Sequence, residues 1–131
     1  VDVRRRLFSS SSGAVELLMF IAVVTAALAA LGPAQTTRLV SYDEAVRCAG
    51  LTQAASELEG GESRYGRTLY DAALYWSLAA MQAATASGRD PVAAENDQTR
   101  ARLDSVKRLS AGEAEARAVL TRCRQKTPRL G

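Results

Sequence analysis

The chain has 131 residues, 47% of them hydrophobic and 24% charged, with a formal net charge of +3. This allows one compact domain and excludes a disordered chain. Histidine is absent and aromatic residues make up only 5%, so the commonest catalytic base and metal ligand is missing and any core is built from Ala, Leu and Val.

The N-terminal stretch opens with Arg4, Arg5 and Arg6, continues through a Ser-rich spacer, and reaches 15 uncharged residues from Leu17 to Leu31. Gly32 and Ala34 then stand three and one positions before a cleavage point after Ala34. A basic start, a short apolar middle and a small-x-small end describe a secretory signal peptide. A spanning helix needs about 20 apolar residues. Extending the run back to Ala14 reaches only 18 and takes in Glu16. The expected organisation is therefore a signal peptide over 1–34, with an uncleaved anchor as the alternative, and a helical domain over 35–131.

Four helices follow from their end signals. Ser41-Tyr42-Asp43-Glu44 has capping-box spacing and starts a first helix that runs to about Glu59 and stops at Gly60-Gly61. Cys48, Leu51, Ala55 and Leu58 recur at three and four residues and mark its buried stripe. The second helix starts between Ser63 and Thr68 and ends at Ser87-Gly88. Tyr70, Leu74, Leu78, Met81 and Thr85 lie along one face, while alanines keep much of the cylinder thin, which predicts a central position in the bundle. Asp90-Pro91 opens a third helix, with Pro at the first helical position. Val92, Leu103, Val106 and Leu109 are its apolar marks. Ser110-Ala111-Gly112-Glu113 repeats the capping-box spacing and predicts the start of a fourth, with Ala116, Val119, Leu120 and Cys123 inside. No strand pattern occurs, so the fold class is all-α: a small four-helix bundle preceded by the apolar N-terminal signal or anchor helix.

Cys48 and Cys123 both fall on apolar stripes. In an exported short chain an even cysteine count predicts a disulfide. The spacing suits neither a redox Cys-x-x-Cys pair nor haem attachment, and a zinc site lacks partners. The bridge closes a loop of 76 residues, for which the chain-entropy model gives about 4–5 kcal/mol.

After the leader the net charge is +2, too little to imply nucleic acid. Residues 35–99 carry five basic and nine acidic groups, whereas 100–131 carry nine basic and three acidic. Such a split suits complementarity within the chain or between copies, or a basic tail on an anionic surface.

Each catalytic template lacks a part. Nucleophilic Ser or Cys has no His base, Gly60-Gly61 separates helices and forms no phosphate loop, and a di-iron bundle needs Glu-x-x-His. The carboxylate pairs Asp43-Glu44 and Glu57 with Glu59 sit in a capping turn and near a helix end. No cofactor and no metal are expected. The aromatic group is the remaining feature: Tyr65, Tyr70, Tyr75 and Trp76 fall within 12 residues. The tyrosines step by about 140° around a helix, so they share no single stripe. Exposed Tyr and Trp are enriched at binding surfaces, and Arg64 and Arg67 lie beside them to stack or to hold an anion. The expected function is that of an exported, non-enzymatic protein of the periplasm or cell envelope. It binds another protein through Arg64, Tyr65, Arg67, Tyr70, Tyr75 and Trp76 or through the basic fourth helix. The alternative is a membrane-anchored structural or accessory subunit of an envelope complex.

Overall fold

A computed structural model describes residues 40–129. The expected signal or anchor segment over 1–34 lies outside the described residues. The described residues form four helices: α1 over Tyr42–Glu59, α2 over Arg64–Ala86, α3 over Pro91–Ser110 and α4 over Ala114–Lys126. Among the described residues, no helix is long and apolar enough to cross a membrane.

The helix ends follow local chemistry. Ser41 caps α1 by accepting from the Glu44 N–H at 3.3 Å, and Ser63 caps α2 by accepting from the Gly66 N–H at 2.9 Å. Pro91 stands at the start of α3. Both α2 and α3 end in Schellman motifs that need positive φ, met by Gly88 at 68° and Gly112 at 72°. In each, two amides past the helix return to its last carbonyls: Arg89 to Ala84 and Gly88 to Thr85, then Glu113 to Arg108 and Gly112 to Leu109.

Two capping details differ from expectation. Glu44 does not reach back to Ser41; its carboxylate pairs with Lys126 on α4. Ser110 does not start α4, because the Schellman stop at Gly112 keeps it inside α3. Glu113 is the capping residue instead, and its carboxylate accepts from Arg108 Nε at 2.9 Å. That pairing holds the Glu113 carboxyl below its ordinary range and raises the Arg108 guanidinium.

The centre of the bundle is α1, not α2. Ala45, Cys48, Ala49, Gly50, Leu51, Thr52, Ala54 and Ala55 are buried and spread round the whole cylinder, the pattern of a helix enclosed on all sides. The Thr52 hydroxyl satisfies itself by donating to the Cys48 carbonyl at 2.7 Å. Helix α2 packs on α1 through Leu69, Ala72, Trp76 and Ala80. Helix α3 packs through a face of small and polar residues, Ala94, Gln98 and Ser105. The α1–α3 crossing is close: a Cβ on Gly50 would stand 2.6 Å from the Ala101 carbonyl carbon. At the α1–α2 turn, a Cβ on Gly66 would stand 1.7 Å from the Gly60 oxygen.

The expected disulfide is present. Cys48 on α1 and Cys123 on α4 are bridged with their Cα atoms 5.5 Å apart, and both are buried. Ala116 and Leu120 complete the inner face of α4. The uneven charge is used between helices: Arg102 of α3 holds Glu57 of α1 at 2.9 Å, and Lys126 holds Glu44.

Several apolar residues that marked helix faces are exposed, Leu58 of the expected buried stripe among them. Leu58, Val92 and Leu103 are each at least half exposed. On α2, Tyr70, Leu74 and Leu78 are 56%, 49% and 64% exposed, whereas Ala72, Ala73, Ala80, Ala83 and Ala84 are buried. The inner face of α2 is the alanine face. Small side chains let two helices approach closely, and close packing of many atoms outweighs the larger transfer free energy of a few leucines.

Candidate functional site

The six residues singled out on α2 do not form one surface. Trp76 is only 1% exposed, so the expectation that it lines a binding face is corrected. Its indole Nε1 donates to the Cys123 carbonyl at 3.2 Å and to Thr127 Oγ1 at 2.9 Å, tying α2 to the end of α4. The half-buried Tyr75 meets the Trp76 ring edge-on at a centroid distance of 5.1 Å. Tyr65 lies on the side of α4, with the Arg124 guanidinium 4.6 Å above its ring and donating to its hydroxyl at 3.3 Å. Arg67 folds back to donate to the Glu62 carbonyl at 2.9 Å, bracing the α1–α2 turn. Arg64 is exposed. Of the six, Tyr70 alone joins a larger exposed apolar feature.

That feature is the outward stripe of α2, formed by Tyr70, Leu74 and Leu78 and continued by the partly exposed Met81. Beside it runs an open groove of about 430 Å³ between α2 and α3. Leu74, Ser77, Leu78 and Met81 line it from α2, Glu95, Gln98 and Thr99 from α3, and Gln53 from α1. Gln53 donates through Nε2 to Ser77 Oγ at 2.6 Å, and Gln98 donates through Nε2 to Met81 Sδ at 3.3 Å. The sequence reading missed Gln53, Glu95 and Gln98 and expected α2, with Leu74 and Leu78 along one face, at the centre of the bundle. The available signal was the alanine count on the opposite face of α2, which marks a close helix contact.

Two other polar regions lie elsewhere on the fold. Asp97 on α3 accepts from the Tyr42 hydroxyl at 2.8 Å, from Arg89 at 3.5 Å and from Arg100. Arg89 also sits 4.0 Å over the Tyr42 ring. The Tyr42 hydrogen bond, then that of Arg100, holds the Asp97 carboxyl below its ordinary range. Burial first, then the bond to Asp97, pushes the Tyr42 hydroxyl up. This cluster latches the start of α1 to α3 and to the α2–α3 connection. A cleft of about 590 Å³ between α2 and the end of α4 is lined by Thr68, Asp71, Arg124 and Arg129 among others. There Thr68 is bound to its own helix and Arg124 donates to Tyr65, while Asp71 and Arg129 form no hydrogen bond or ion pair among the described residues and Arg124 Nε is buried without a partner. Among the described residues, no three Cys, Asp or Glu side chains come together to hold a metal ion.

No protein-family model matches the chain, and no curated protein or solved structure does either.

Proposed function

We propose that the protein is exported and works without enzymatic activity, binding another protein in the periplasm or cell envelope through the outward face of α2. The observation that carries this reading is the orientation of α2, which turns Tyr70, Leu74 and Leu78 to solvent while its alanines face the core. A contiguous apolar stripe rimmed by polar residues is the mark of an interaction surface. The buried Cys48–Cys123 bridge fits an oxidising compartment, in keeping with the leader-like sequence of 1–34. The basic fourth helix is the weaker candidate surface, because Arg122, Arg124 and Lys126 already hold Glu115, Tyr65 and Glu44.

A photo-reactive amino acid in place of Leu78, activated in intact cells, tests the surface. The expected result is one adduct with a different protein, lost on Leu74→Asp. The native mass is expected to begin at Gln35, with thiols that alkylate only after reduction. No adduct at position 78, or adducts with itself alone, would overturn this function.

A further inference from the structure

The cleft between α2 and the end of α4 shares no residue with the α2 stripe or with the α2–α3 groove, and its charges are not matched within the fold. One wall belongs to α2, with Asp71 beside the buried Ala72. The other is Arg124 and the turn after α4, through Pro128 to Arg129. Thr127 fixes that turn. Its hydroxyl accepts from the buried Trp76 indole at 2.9 Å and donates to the Cys123 carbonyl at 2.9 Å. Proline then restricts the backbone directly before Arg129. The second wall is thus anchored to a core tryptophan and to a disulfide-bonded residue.

Asp71 and Arg129 carry opposite charges in one cleft, yet they pair neither with each other nor with any other charge among the described residues. Arg124 is the third charged group. Its Nη1 donates to Tyr65 at 3.3 Å, while its Nε is buried with no acceptor. A buried donor left open is uncommon in a folded chain and calls for an acceptor from outside it. The guanidinium edge that carries Nε and Nη2 is a fork that a carboxylate takes with both oxygens. Among the described residues this side chain is held by that long bond and by the Tyr65 ring, so the fork can turn to an acceptor in the cleft.

Three charges narrow the occupant. A simple anion would satisfy Arg124 and Arg129 but meet Asp71, and a simple cation would meet two guanidiniums. A molecule with both charges a few bonds apart satisfies all three groups. The cleft, about 590 Å³, has the size of a small-molecule site. Its apolar lining is limited to Ala72 and Pro128, so recognition rests on the charged ends. We infer that this cleft binds a free α-amino acid, with the carboxylate taken by Arg124 and Arg129 and the ammonium by Asp71.

The test titrates the oxidised, ¹⁵N-labelled protein with glycine at fixed ionic strength and about pH 6, below the α-amino range. Two analogues that each lack one charge, N-acetylglycine and glycinamide, are titrated beside it. Glycine is expected to give saturable shifts in the millimolar range, confined to residues around Asp71, Arg124 and Arg129. Each analogue should bind about five-fold more weakly, the size of one exposed ion pair. Asp71→Asn should remove the advantage of glycine over N-acetylglycine, and Arg129→Gln should shrink its advantage over glycinamide. Both positions are exposed, so the circular dichroism and melting midpoint of each variant should match the parent.

No saturation in the millimolar range, shifts elsewhere on the bundle, or a glycine preference unmoved by Asp71→Asn would overturn the assignment. N-acetylglycine or inorganic phosphate binding as tightly as glycine would make the cleft an anion site and overturn the zwitterion. None of these results bears on the α2 stripe, which the adduct at position 78 tests separately.

Discussion

Gly50→Ala is expected to destabilise the protein, although helix propensity alone predicts the reverse. In a helix interior alanine is favoured over glycine by about 1 kcal/mol. At position 50, however, the added Cβ would stand 2.6 Å from both the carbonyl carbon and the Cβ of Ala101, and 2.8 Å from its oxygen. Carbon atoms pack at about 3.5–4.0 Å, so α1 and α3 must separate by about 1 Å at their crossing. Overpacking of this kind costs about 1–3 kcal/mol, and the upper end applies because backbone cannot rotate away as a flexible side chain can. Subtracting the propensity gain leaves a net loss of about 2 kcal/mol. With a urea slope of about 1 kcal/mol/M for a small domain, the midpoint should fall by about 2 M. Adding Ala101→Gly should recover only a small part, since two of the three near atoms are backbone. Gly61→Ala meets nothing within 4 Å and should stay within about 0.5 kcal/mol of the parent. A Gly50→Ala variant as stable as the parent, with α1–α3 contacts intact by NMR, would refute the close-crossing argument.

Other expectations are independent of that crossing. Reducing the Cys48–Cys123 bridge should lower stability by about 4–5 kcal/mol for its 76-residue loop; urea curves with and without reductant check this, and a loss below about 1 kcal/mol contradicts the staple. Leu69, 1% exposed, and Leu78, 64% exposed, should separate in thermal melts. Leu69→Ala is expected to cost about 2–5 kcal/mol and Leu78→Ala within about 0.5 kcal/mol, and equal losses would restore the leucine face to the core. The lowered Asp97 and Glu113 carboxyls contribute stability that is present above the unfolded carboxylate range, about 4, and is lost as pH falls through their folded values. Asp97→Asn with Glu113→Gln should flatten the acid limb of a pH–stability profile. The raised Tyr42 hydroxyl works oppositely, contributing below about pH 10 and losing its share as pH rises through its folded value. Tyr42→Phe should therefore flatten the alkaline limb and, by removing the bond that most lowers Asp97, part of the acid limb as well.

What the sequence determined by itself is local. Ser63, Pro91, Gly60 and Gly88 set helix boundaries because each acts on amides or φ angles within a few residues, with no need of the rest of the chain. The disulfide was legible for a related reason: the two cysteines lie on apolar stripes of short helices, and a bridge requires only that those stripes meet. The Ser110 box misled because a glycine two residues later also permits a Schellman stop, whose bonds keep Ser110 within α3.

The inward face of α2, the central place of α1 and the groove with Gln53, Glu95 and Gln98 were decided by tertiary structure. A leucine stripe and an alanine stripe on one helix are both plausible inner faces by pattern. The choice depends on how closely the neighbour can approach, and that is a property of Gly50, Ala101 and the alanines of two other helices taken together. With those small residues drawing the helices together, the leucines face solvent, and side chains of α1, α2 and α3 share one groove.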